Sequence, residues 1–510
     1  MKYIGPFFRM STLSQDDIYG QLFHLSKESI KTITLNSKCG IISHFRSSKK
    51  SRSSNDNNIL DNSSPLLCIY KKSSPNLIHS KTSLGFDETT FRKTILPSTN
   101  ALMTLSILEL SDYFSNYNRV CSNIKSLEQP YSIIAKKQLE FYSNNLRNSD
   151  GVFVEKKNIS DNNSKSFNLI DKNKDFKFSD QSFMMCAYLL YAINHKDDEI
   201  SNEYREFAYQ ILNMLCDFKE EIYSVSFEEC CLVLMSLNIL LDYEENDDCK
   251  NLLIDLSDFL INKFNEKDYY SSSLDYSCLF AINLYKSFKH TEIIYFKEIS
   301  LEIFDKLESL YDKNKNIFIK LSDKKEIKYS SLEICFYLLS MIIYSSEKDY
   351  PTNNHMIANL YKRTVINSGI VCSFPEAPTL DELERYRSLS LKSDDMLNES
   401  YFKMPNTPTP ESNGLAPIFN KNVTYCRKKD SFSTPKNSFD SNKNMLIYFT
   451  FIHFLRNKVS LNMNFKEQTT IDNNTISNED IVNNNNSYDE KDNSTSLNNQ
   501  NESIESINNE

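Results

Sequence analysis

Phe183-Met184-Met185-Cys186-Ala187-Tyr188-Leu189-Leu190-Tyr191-Ala192-Ile193 is apolar at every position. Just beyond it Tyr204, Phe207, Ala208, Ile211, Leu212 and Leu215 recur at helical spacing, with Glu203, Arg205, Glu206, Gln210, Asn213 and Asp217 lying off the stripe. A helix that is apolar around its whole circumference needs neighbours on every side, whereas one with a single stripe is covered on one side only. The two segments therefore predict an interior helix followed by a surface helix.

The same couple recurs along the chain. Residues 226–241 are followed by 251–264, 273–288 by 291–310, and 331–344 by 355–366. The inner members share a cysteine, Cys186, Cys230, Cys278 and Cys335, each four or five residues after a serine suited to cap a helix. Upstream, 101–114 followed by 131–146 makes another couple, with Ser98 as a cap and Pro130 in a first turn. Downstream, 444–454 is one more apolar helix, opened by Ser438 or Asp440, and the amphipathic stretch 16–33 can supply a sixth outer member. Between Gly151 and Pro351 there is neither Gly nor Pro, which strand-rich folds rarely manage.

Six inner and six outer helices predict an all-α chain, an (α/α)6 toroid of six hairpins with short β-like inserts at 151–154 and 317–319. The alternative is an open solenoid of the same hairpins. On this architecture and hairpin spacing, residues 98–458 resemble the six-hairpin, glycosidase-like superfamily. The resemblance implies a ligand cleft at one end of the inner barrel, lined by the loops that enter the inner helices.

Composition limits the function classes. The 7 Gly are all at least 15 residues apart, which leaves no Gly-rich phosphate loop. The 7 His form no close pair and no Cys-His cluster, so no metal and no cofactor is expected. The 12 Cys lie mostly in apolar helical patterns and read as buried thiols of a reducing cytosol. Pro6 and Arg9 break the initial apolar stretch, no apolar run is long enough for a bilayer, and aromatics are not interleaved with basic residues for stacking on single strands. A cytoplasmic location with neither membrane nor nucleic acid as partner follows. The net charge of −10 is concentrated in residues 465–510, which hold ten acids and two lysines.

The expected organisation is an N-terminal segment 1–43 with a closing helix, a Ser/Lys/Asn-rich, low-order excursion 44–97, a toroid 98–464, and a disordered Asn-rich acidic tail 465–510. Residues 369–439 hold two of the Gly and seven of the 13 Pro, and are expected to lie over the barrel mouth, as a functional lid or a structural cover.

Candidate chemistry sits in two places. The entries of the inner helices carry Asp180, Glu228, Glu229, Asp275, Glu333 and Asp440. Facing carboxylates, one protonated and one charged, are what glycoside cleavage requires. Acids in a first helical turn also answer unsatisfied amides and the macrodipole. The long loop carries Glu376, Glu384-Arg385-Tyr386-Arg387, Asn413-Gly414-Leu415-Ala416-Pro417 and Tyr425-Cys426-Arg427. Its Asn-Gly-Leu-Ala-Pro run is similar to the Asn-Gly-Trp-Ala-Pro run of trehalases, departing at Leu415. Glu376, Asp180, Glu384 and Asp440 are the candidate acid and base. Arg385, Tyr386, Arg387, Asn413, Tyr425 and Arg427 are the candidate ligand contacts. The basic run 427–429, with Lys421, Lys436 and Lys443 nearby, is either a solvated face or a contact for an anion. The expected function is to bind, and in the enzymatic case hydrolyse, a glycan or small sugar. The alternative is a non-catalytic helical scaffold for a protein partner, consistent with the absence of Trp.

Overall fold

Six inner helices close into a ring. They are α2 (Pro97–Asn118), α4 (Phe178–Asn194), α7 (Phe227–Tyr243), α10 (Leu274–Thr291), α12 (Ser331–Lys348) and α14 (Ser441–Ser460). Each packs on the next in that order, and α14 packs back on α2. The outer layer comprises α1 (Gln15–Asn36), α3 (Glu128–Asn145), α5 (Ser201–Asp217), α8 (Asp247–Asn265), α11 (Ile294–Ser309) and α13 (Asn353–Tyr361). Three shorter pieces, α6 (Lys219–Ser224), α9 (Tyr269–Ser272) and a π turn over Lys362–Ile366, lie in connections. The computed structural model describes residues 13–43, 59–60, 62–79, 84–118, 127–160, 167–173, 175–320, 324–348, 353–376, 415–433 and 436–460, all in one compact unit.

The inner helices are interior because their circumferences are apolar. In α4 every residue from Phe178 to Ala192 is buried, and α7 buries Cys230, Cys231, Val233 to Leu241 and Phe227. In the outer α5 only one stripe is buried: Ser201, Tyr204, Ala208, Ile211, Leu212 and Leu215. Each fully buried aliphatic or aromatic side chain contributes about 1.5–3 kcal/mol, which makes the inner ring the main source of stability. Ring closure depends on α1, which packs on α14 and touches α2 and α13, so the first helix of the chain completes the last hairpin.

The helix starts partly follow the expected caps. The Ser226 side chain accepts from the Glu229 amide at the head of α7, and Ser330 and Glu333 bond reciprocally at the head of α12. Ser182 is not a cap: α4 begins four residues earlier, at Phe178, because Phe178 is itself buried against the ring.

The two ends of the ring differ. Inner-to-outer connections are short, as at 195–200, 244–246 and 292–293. The strands lie in four of the outer-to-inner connections, while 218–226 and 266–273 carry the short helices α6 and α9. Segment 66–95, expected to belong to a low-order excursion, forms strands instead. β1 (Gly40–Ile42) pairs with β2 (Leu66–Ile69), β3 (Lys72–Ser73) with β14 (Phe439–Asp440), and β4 (Leu77–His79) with β5 (Leu84–Phe86). β6 (Thr94–Ile95) joins β7 (Lys156–Asn158) and β8 (Leu169–Asp171) in a three-stranded sheet. β9 (Tyr311–Asp312) pairs with β10 (Ile317–Phe318), matching the predicted insert. β11 (Glu326–Ser330), β12 (Asn422–Cys426) and β13 (Ser431–Ser433) form another sheet. Alternation in 66–69 and 422–426 is too short to stand out locally; long-range pairing is what orders these strands.

Candidate functional site

The first turns of the six inner helices meet at the strand-bearing end, and hydrogen bonds link one to the next. On α2, the Thr99 hydroxyl donates to Asn442 Oδ1 of α14 at 3.1 Å, and the Ser98 amide donates to Asp180 Oδ1 of α4 at 2.8 Å. The Ser179 amide of α4 donates to Glu229 Oε1 of α7 at 2.8 Å, and the Ser273 hydroxyl before α10 donates to Glu228 Oε1 at 3.0 Å. Asp180 and Glu229 thus satisfy an orphan amide at the head of the neighbouring helix rather than of their own. Burial, opposed by the bonds from Ser98 and aided by the nearby Glu229 charge, pushes the Asp180 carboxyl up to about 6.

The other half of the mouth is built differently. Glu333 forms an ion pair with Lys320 and accepts the Ser330 amide at 2.6 Å; Asp440 Oδ2 lies 3.6 Å from Lys72 Nζ. Asp275 accepts the adjacent Tyr276 amide at 3.2 Å. Burial first, then the Glu333 charge, pushes the Asp275 carboxyl up, against the pull of Lys443. Lys443, on the first turn of α14, is held below its ordinary value by burial, while Asp275, Asp440 and Glu333 oppose that shift. The half-buried Tyr276 hydroxyl has Glu228 and Glu229 in its surroundings.

Toward the C-terminal ends of the inner helices a second polar cluster crosses the ring, since α2 faces α10 and α7 faces α14. His453 of α14 places Nδ1 2.6 Å from Glu109 Oε1 of α2 and Nε2 2.8 Å from Asp242 Oδ2 of α7. Tyr243 donates to Glu109 at 2.6 Å, and Lys286 of α10 pairs with Asp242 at 2.8 Å. Both ring nitrogens of His453 face carboxylate oxygens, so both must donate and the imidazole is held as its cation. The two carboxylates raise the His453 pKa against the effect of burial, and His290 and His453 hold Asp242 well below the usual carboxylate range. This end of the lumen is bridged by side chains.

The closed order of six inner helices decides the architecture. The chain has an (α/α)6 toroid fold of six helical hairpins. No family model and no curated protein matches the sequence. Among solved structures, the chain is similar to a cellobiose 2-epimerase from Bacillus thermoamylovorans at 10% identity, covering 76% of this chain and 92% of the other with a TM-score of 0.45. It is also similar to an endoglucanase from the termite Nasutitermes takasagoensis at 11% identity, covering 86% and 98% with a TM-score of 0.44. A sugar epimerase from a ruminal bacterium matches at 9% identity, over 76% and 92%, with a TM-score of 0.43.

Of the predicted site residues, Asp180 and Asp440 stand in the mouth on α4 and immediately before α14, flanking the head of α2. Glu376 is exposed and lies beside the outer layer, its backbone carbonyl accepting from His24 Nε2 of α1 at 2.8 Å. Tyr425, expected to contact a ligand, is fully buried in β12: its ring packs on Phe432 at 5.4 Å and its hydroxyl donates to Asp430 at 2.6 Å. Arg427 is half-buried and donates to the Lys320 carbonyl at 3.4 Å. Glu384, Arg385, Tyr386, Arg387 and Asn413 lie outside the described residues. The Ala416-Pro417 end of the trehalase-like run is a packing element, with the Ala416 amide on the Pro75 carbonyl and the Tyr448 hydroxyl on the Pro417 carbonyl. Asp275 and Tyr276 are not among the predicted acid, base or ligand contacts, and Lys443 is placed there only near a basic run read as either a solvated face or a contact for an anion. Their signal was position: each falls in the first turn of an inner helix.

Among the described residues no cluster of His, Cys, Asp and Glu has metal-holding geometry, and no helix is long and apolar enough to cross a membrane.

Proposed function

We propose that the N-terminal mouth of the ring binds a glycan or small sugar and hydrolyses it by carboxylic acid chemistry. The observation that carries this reading is Asp275. Its carboxyl is pushed up by burial and by the Glu333 charge, and the Tyr276 amide donates to it at 3.2 Å. It is therefore available as a proton donor in a way that Glu333 is not. Asp440, beside Lys72 Nζ at 3.6 Å, supports the role of the second carboxylate that glycoside cleavage needs. Tyr276 offers a half-buried ring for stacking a sugar face in a chain that has no Trp.

The test is thermal stabilisation of the full chain by a panel of methyl glycosides and oligosaccharides. Stabilisation that Asp275→Asn and Tyr276→Ala abolish supports the proposal. A flat response across the panel sinks it.

A second reading, a helical scaffold for a protein partner, draws on Asp180 and Glu229, whose carboxylates cap neighbouring helices. It predicts a stoichiometric partner in a pull-down and unchanged capture by Asp275→Asn.

A further inference from the structure

The sheet β11–β12–β13 stands at the rim of the mouth, because β11 ends at Ser330, α12 begins at Ser331, and the Ser330 amide donates to Glu333. Its inward face is apolar: Ile327, Tyr329, Val423 and Tyr425 are buried, and Phe432 packs on Tyr425 at 5.4 Å. Strand alternation turns the intervening residues outward. Lys328, Thr424 and Ser433 form one row across the sheet, and Glu326, Cys426 and Ser431 form the next. Neither row holds a large apolar side chain.

The hairpin end of the sheet adds charge. The Arg427 amide donates to the Lys325 carbonyl at 3.0 Å, which sets Lys325 beside the turn that carries Lys428 and Lys429. Lys325, Lys328, Lys428 and Lys429 are exposed, and among the described residues none has a carboxylate within ion-pairing distance. Asp430, the acid of the turn, is already held by Arg363 at 2.6 Å and by the Tyr425 hydroxyl at 2.6 Å. Glu326 is the one acid in the two rows.

A protein partner needs an apolar, aromatic-rich interface core, and single-stranded nucleic acid needs rings to stack on; the outward face offers neither. Ammonium groups beside hydroxyls match a hydrated ligand that carries anionic groups on a hydroxyl-rich frame. We propose that the outward face of this sheet binds the anionic groups of an acidic glycan. The inference deepens the carbohydrate reading of the mouth, on which it rests, by naming the substrate class. The ring entrance carries Asp180, Glu229 and Asp440, which repel anions, so the charged units lie on the sheet and the unit presented to the mouth is uncharged.

The experiment measures binding of hyaluronan and heparin octasaccharides to the full chain by calorimetry, beside a hyaluronan octasaccharide whose carboxyls are reduced to alcohols. At least one acidic octasaccharide is expected to bind, and the reduced one to bind at least about tenfold more weakly than its parent. A surface ion pair is worth about twofold, so Lys325→Gln, Lys428→Gln and Lys429→Gln together should weaken binding about eightfold. Lys196→Gln, Lys250→Gln and Lys289→Gln make the same change of net charge away from the sheet and should leave binding unchanged. Cys426 in the sheet and Cys216 on the outer α5 are both half-buried free thiols. Occupancy should slow alkylation of Cys426, with Cys216 as the internal standard. The proposal is overturned if neither acidic octasaccharide binds, if the sheet variant loses less than about threefold, or if the control variant loses as much. Unprotected Cys426, or tighter binding of a short DNA duplex, overturns it as well. Tyr276→Ala separates the two readings: binding lost in the sheet variant but unaffected by Tyr276→Ala supports the sheet and refutes the mouth, and the reverse refutes the sheet alone.

Discussion

Replacing His453 by Leu should destabilise the protein by about 3–5 kcal/mol, the usual cost of leaving a buried charge without its partner. His453 is 8% exposed and Glu109 is fully buried. Without the imidazolium, Glu109 keeps the Tyr243 hydroxyl, and Arg456 Nε stands 3.9 Å from Oε2. Asp242 keeps Lys286 and is 19% exposed on its side chain, so most of the penalty falls on Glu109. Unfolding a body of roughly 400 residues at about 2.1 cal/mol/K per residue gives an entropy near 0.8 kcal/mol/K, so about 4 kcal/mol lowers Tm by roughly 5 °C.

The assay is urea unfolding near neutral pH, which should show a lower midpoint at unchanged m, supported by calorimetry. The pH dependence adds a second readout. The pKa of His453 is raised in the fold, so its contribution is fully present below its unfolded value near 6.5 and is lost as pH rises through the folded pKa. Asp242 is depressed, so its contribution is present above about 4 and fades as pH falls. His453→Leu should therefore flatten the alkaline limb of the stability profile. A loss of less than about 1 kcal/mol with an unchanged alkaline limb would refute the claim that an obligatory cation bridges the ring.

Other consequences are as direct. Asp180 is raised to about 6, so its burial as an anion weakens the fold as pH climbs from about 4 to 6, by about 3 kcal/mol. Asp180→Asn keeps an acceptor for the Ser98 amide and should remove that slope, checked by urea midpoints across the interval. Gly40→Ala would set a Cβ 1.8 Å from the Cys68 carbonyl oxygen, so the β1–β2 pair must shift; a loss of about 1–3 kcal/mol is expected in chemical unfolding. Ser226→Ala deletes the cap of α7 and should cost about 1 kcal/mol by the same measurement. In glycoside hydrolysis, Asp275→Asn should lower kcat by at least about a hundredfold, the scale of general acid catalysis; an unchanged rate would remove Asp275 from the chemistry.

Helix identity was legible because burial on every side and burial on one side leave different periodicities, as in Phe183 to Ile193 against Tyr204 to Leu215. The absence of Gly and Pro between 151 and 351 made the hairpins continuous, and position in or just before a first turn marked Asp180, Asp275 and Asp440 as entry acids. Which acid is paired was not legible, because Lys320 meets Glu333 and Lys72 meets Asp440 only after the ring closes. His453 looked like one polar residue in an apolar helix, and its two carboxylates come from helices more than 200 residues away. The strands of 66–95 and 422–433 exist through partners on distant connections, which no local pattern encodes. Sequence by itself determined the helices and their inner or outer rank, since amphipathicity is a property of neighbours along the chain. The tertiary structure alone decided closure, the polar bridge across one end, and the pairing of the entry acids at the other, since each depends on which helices face each other across the ring.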